Sequence, residues 1–101
     1  MIRHIVLWKL DSSYTVEEKK EIKKQLESKL NNLLGVIDQL SFLEVSFNSE
    51  AANDTNFDIM LDSGFESLED LKIYQEHPEH LKVGAYIKSL KAQRAAIDYE
   101  Y

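Results

Sequence analysis

Apolar and polar positions alternate from the first residues of the chain. Ile2, Val6, Trp8 and Leu10 fall on one side of a two-residue period, together with His4. Ile5 and Leu7 fall on the other side, so both faces of the predicted strand require cover. One face can meet helices and the other a second subunit. Asp11 to Tyr14 reads as a turn. Thr15 followed by Glu18 reads as a capping box, in which a hydroxyl and a carboxylate satisfy the first backbone N–H groups of a helix. Ile22, Leu26, Leu30 and Leu33 then recur at helical spacing on one face, and Gly35 marks the expected stop.

The period returns to two over Leu40–Phe47 and again over Phe57–Phe65. The polar stretch Asn48–Asn56 joins them as a long hairpin loop. Ser67 is positioned to cap a further helix, with Glu69 and Asp70 in its first turn, where acids suit the helix dipole. Pro78 breaks that helix and opens another, with His77 as the expected cap. Val83, Tyr86, Ile87 and Leu90 form its apolar stripe, and the helix is predicted to reach about Ala92. A final strand covers Gln93–Glu100.

This order, β-α-β-β-α(α)-β, predicts an α+β fold of the ferredoxin-like, split-βαβ kind. It implies a four-stranded antiparallel sheet with helices on one face, spanning residues 1–101 as one domain. A chain this short hides roughly two thirds of its unfolded surface on folding. The far side of the sheet would stay apolar and bare in a monomer. A two-fold homodimer through that sheet face, a dimeric α/β barrel, is the expected remedy.

Charge and composition narrow the partners. The net charge of -6 disfavours nucleic acid and anionic membranes. Lys19, Lys20, Lys23 and Lys24 are interleaved with Glu17, Glu18, Glu21 and Glu27, a solvated helix face of mixed sign. The chain has no cysteine, which excludes disulfides and thiolate chemistry and suits a reducing, cytoplasmic setting. No signal peptide and no apolar run of about 20 residues is visible, so no membrane span is expected.

Phosphate-loop, serine-triad and zinc-site patterns are missing. The polar loop with Glu50, Asn53 and Asp54 lacks calcium-loop spacing. His77 and His80 bracket Pro78 and Glu79, too little for a metal site, so neither metal nor cofactor is expected. His80 falls in the first turn of its helix, at the edge of the apolar stripe, where a neutral imidazole is expected. Tyr74 follows Leu68 and Leu71 at helical spacing, at the margin of the core. His4, Tyr74 and His80 can then line one cavity, with Asp98 orienting a histidine and Trp8 either walling the cavity or filling the core. The same residues also suit a purely structural tie between helices and sheet. Tyr86, Tyr99 and Tyr101 read as packing or interface aromatics.

Ile2-Arg3-His4-Ile5-Val6-Leu7-Trp8-Lys9 and Phe65-Glu66-Ser67-Leu68-Glu69-Asp70 carry a resemblance. So do Tyr74-Gln75-Glu76-His77-Pro78-Glu79-His80-Leu81-Lys82-Val83, with its His-Pro-x-His element, and the terminal Asp98-Tyr99. Over essentially its whole length the chain resembles the stress-responsive α/β barrel (Dabb) family. The resemblance implies a ferredoxin-like fold, a β-sheet dimer forming a barrel, and no single activity. A plant polyketide cyclase of that family works without a cofactor. Its catalytic tyrosine and histidine correspond to Tyr74 and His80. Its first-strand histidine corresponds to His4, and its orienting aspartate to Asp98. A further pocket histidine of that enzyme is Ile59 here, a departure at a substrate-binding position.

Two readings follow. In the first the protein is a non-catalytic module whose pocket holds a small apolar or carbonyl-containing ligand, or is packed shut. In the second it is a cofactor-free enzyme: His80 acts as general base, Tyr74 donates to an oxyanion, Asp98 sets the histidine tautomer, and His4 and Trp8 orient substrate. A cofactor-free monooxygenase needs a pocket shaped for an electron-rich aromatic, which nothing in the sequence marks. Haem degradation lacks a clearly placed axial histidine.

Overall fold

The alternation at the N-terminus becomes the centre of the sheet. The computed structural model describes residues 1–101 as β1 (Ile2–Leu10), α1 (Val16–Asn31), β2 (Phe42–Phe47), β3 (Ile59–Phe65), α2 (Leu68–Glu76), α3 (Pro78–Lys88) and β4 (Ala92–Glu100). The four strands form one sheet in the order β2-β3-β1-β4, with every neighbouring pair antiparallel. This is the ferredoxin-like architecture.

Helices cover the sheet face that carries Ile2, Val6, Trp8 and Leu10 of β1 and Ile59, Leu61 and Phe65 of β3, all of them buried. Ile22, Leu26 and Leu30 of α1 complete that core, followed by Leu33, Ile37 and Leu40 from the connecting turns. The caps form as their residue types dictate. Thr15 and Glu18 close the capping box, Ser67 accepts from the Asp70 backbone N–H, and His77 accepts from that of Glu79 through Nδ1.

Several boundaries differ from the sequence pattern. α1 ends at Asn31, and Gly35 serves a later turn at φ +88, a left-handed conformation that glycine adopts without strain. The hairpin strands start at Phe42 and Ile59. The side chain of Asp58 is used to bond the Leu10 backbone N–H, and its own N–H turns to the Trp8 carbonyl. α3 stops at Lys88, where Ser89 caps the last carbonyls, so β4 starts at Ala92.

The opposite face of the sheet has no helix. Ile5 and Leu7 of β1 stand there with Phe42, Met60, Ile97 and Tyr99, all partly or fully exposed. The same face holds one built polar feature. Arg3 makes a two-pronged bond to Asp62 at 2.8 and 2.9 Å, between the rings of Phe42 and Tyr101. Gly64 lies under the Phe42 ring, which a Cβ there would overlap. Strand β4 is exposed along its whole length.

Candidate functional site

The break at Pro78 creates the site. Helix α2 ends at Glu76, so the carbonyl of Gln75 receives no helical N–H from α3. The imidazole of His80 fills that vacancy, with Nδ1–H donating to the Gln75 oxygen at 3.1 Å. Nδ1 is thereby committed, and Nε2 is left with a free lone pair. His77, occupied with capping α3, is structural.

His80 opens onto a cavity of about 270 Å³ between the helices and the inner sheet face. Val6, Leu30, Leu61 and Ile87 supply apolar walls. His4, Trp8 and His80 supply rings, and Gln75, Lys88 and Arg94 supply polar groups. Gly84 completes the lining from the middle of α3. A wider cleft of about 560 Å³ at the Leu10–Ala92 end is mostly polar, with Lys9, Lys19 and Lys91 among its walls. It has only two apolar lining residues and reads as a solvated surface depression.

The candidates drawn from the sequence fall into two groups. His4, Trp8 and His80 meet around the cavity. Tyr74 does not line it. The ring of Tyr74 is fully buried between Phe65 and His80, at centroid distances of 4.9 and 4.5 Å. The expectation of a core-margin tyrosine is corrected here: helical spacing gives direction but not depth, and Leu68, on the same arc, is exposed while Tyr74 is sealed. The Tyr74 hydroxyl has no hydrogen-bond partner among protein atoms, and the same holds for Trp8 Nε1. Burial pushes the Tyr74 phenol far above its ordinary range, so it stays neutral throughout.

Asp98 engages His4, not His80. The β1–β4 register sets His4 opposite Asp98, and the carboxylate meets His4 Nδ1 directly. The tautomer of His80 is instead fixed by the Gln75 carbonyl. Ile59 is buried in the core and takes no part in the lining. No three His, Cys, Asp or Glu side chains converge as a metal-binding group.

Residues the sequence reading missed are Gln75, Gly84, Lys88 and Arg94. A glycine inside a helix is unfavourable and was the one signal available without a structure. The others join the site only through the tertiary fold.

Burial holds His80 below the ordinary imidazole range. The bond to Gln75 opposes this, and the neighbouring His4, Arg94 and His77 reinforce it. A proton titration by nuclear magnetic resonance is expected to place the His80 midpoint below about 6.5. The sign for stability follows. Between that midpoint and about 6.5 the unfolded chain binds the proton more readily than the folded one, so stability falls as pH drops through this window. A midpoint at or above the free-imidazole value contradicts the burial.

Comparisons with known proteins agree with this fold. The model of the Stress responsive A/B Barrel Domain matches residues 2–101. A dimeric protein of unknown function with a ferredoxin-like fold from Bacteroides fragilis is 34% identical, with a TM-score of 0.90, covering 99% of this chain and 95% of that one. A dimeric ferredoxin-like protein of unknown function from Thermobifida fusca is 24% identical at a TM-score of 0.82, covering 99% and 90%. The hydroxynitrile lyase of Passiflora edulis shares the fold at 19% identity and a TM-score of 0.78, covering 97% and 90%. Among curated proteins, none matches the chain in sequence.

Proposed function

The chain belongs to the stress responsive A/B barrel domain family, and from that premise we propose that it acts as a homodimeric binding module that holds a small organic ligand in the cavity under α3, without transforming it. No helix is long and apolar enough to cross a membrane. A cytoplasmic setting suits a chain without cysteine. The dimer is supported by the bare face carrying Ile5, Leu7, Phe42 and Ile97 and by the dimeric relative from Bacteroides fragilis.

The observation that carries the binding reading is Gly84. Glycine in a helix interior costs up to about 1 kcal/mol relative to alanine. Close packing does not require it here, because a Cβ at Gly84 would meet no atom within 4 Å. The open space beside it is the cavity. Gly84→Ala is therefore expected to raise stability by about 0.5–1 kcal/mol, read from denaturant unfolding. A loss of stability contradicts the account of this position.

Proton chemistry is the weaker reading. His80 Nε2 is free to accept a proton, but the Tyr74 hydroxyl does not reach the cavity lining and Asp98 is taken by His4. The test is a fragment screen by nuclear magnetic resonance, using small aromatic and aliphatic compounds. The Trp8 indole N–H and the His80 ring signals are expected to shift together on saturable binding. Shifts confined to other surfaces, or none, would overturn the proposal. Conversion of a bound fragment that His80→Ala abolishes would favour the enzyme instead.

A further inference from the structure

We infer that the cavity takes a small monoanion with an apolar body, its charge held by Arg94 with help from Lys88. This deepens the proposed function and rests on the cavity being a ligand site. The chain carries 18 acidic and 12 basic residues. Its surface is therefore biased against anions. The cavity lining reverses that bias: it includes Arg94 and Lys88 and no aspartate or glutamate.

Neither cation is spoken for. The ion pairs of the structure join Arg3 to Asp62, His4 to Asp98, Lys20 to Glu17 and Lys82 to Glu79. Lys88 has a structural reason for its place, because the last turn of α3 favours a positive charge. Arg94 has none. It stands on β4 opposite Trp8 and makes no side-chain hydrogen bond within the protein. The carboxylate four residues along on the same strand face, Asp98, is bound to His4. A guanidinium left without a partner beside an apolar cavity suits a carboxylate, which it can grip with two parallel bonds.

The volume sets the size. At roughly 30 Å³ per water in the liquid, the cavity of about 270 Å³ corresponds to about nine water-sized units, a ligand of about ten non-hydrogen atoms. Four aliphatic side chains and the rings of His4, Trp8 and His80 make up most of the wall, which suits a ligand with an aromatic body. Phenylacetate matches in size, charge and ring. Phenylacetamide is its neutral counterpart of the same shape.

The two compounds are titrated into the dimeric protein, with affinity read by calorimetry and location by the Trp8 indole signal. Phenylacetate is expected to bind at least about tenfold more tightly. Arg94→Gln is expected to bring the two within about threefold, and Arg94→Lys to restore part of the difference. Equal affinities in the natural protein would overturn the inference, as would a preference that survives Arg94→Gln combined with Lys88→Gln. Should only neutral fragments perturb Trp8, the anion assignment falls and the ligand site stands. If no fragment of either kind binds there, both fall.

Discussion

Leu7→Asp is expected to turn the dimer into a monomer, raising its dissociation constant at least about a hundredfold. Leu7 lies on the helix-free face, with Met60 and Ala95 as its cross-strand neighbours and Ile5 and Ile97 close by. In a sheet-to-sheet dimer this cluster loses contact with water. A carboxylate placed there would be buried without a partner, at a cost of several kcal/mol. The fold of each protomer has little to lose, because Leu7 is only partly covered within its own chain and the core lies on the other face. Light scattering across a wide concentration range reads the mass, and circular dichroism checks that the fold persists. A variant that stays dimeric contradicts the assignment of this face.

The second large effect concerns Tyr74, where ring and hydroxyl are expected to act in opposite directions. The ring is fully buried and supports His80 from behind. Its removal in Tyr74→Ala is expected to cost about 3–5 kcal/mol, the usual range for deleting a buried aromatic. Total stabilities of domains this size are of order 5–15 kcal/mol, so the variant should be close to unfolding at physiological temperature. The hydroxyl is buried with no partner among protein atoms, which is a cost and not a gain. Tyr74→Phe is accordingly expected to stabilise the protein by about 1 kcal/mol in urea unfolding. Destabilisation of that size by Tyr74→Phe would mean that the hydroxyl has a partner in solution, and would revive its candidacy as an oxyanion donor.

Much of the fold was legible because its signals are local. The Thr15–Glu18 box, the Ser67 cap and the His77-Pro78 junction depend on residues within four positions of one another, and all three form as their chemistry requires. The alternation in β1 likewise announced a strand wanted on both faces. The site was legible only in part. Face and spacing grouped His4, Tyr74 and His80 around one cavity and left Trp8 between wall and core, but they carry no depth, and Tyr74 is sealed in the core. The partner of Asp98 is decided by the register of β4 against β1, a long-range pairing that no local pattern encodes. Arg94 looks like any strand arginine until the absence of a partner around it can be seen.

The claim that the cavity is a ligand site is most directly tested through Trp8, the sole tryptophan of the chain and part of the cavity wall. Its emission reports occupancy there without a label. Titration of the natural protein with fragments of about ten non-hydrogen atoms is expected to give a saturable change. Gly84→Leu, which fills the cavity from α3, is expected to fold and dimerise normally and to give none. Identical titrations for the two proteins, or no change in either, would contradict the account.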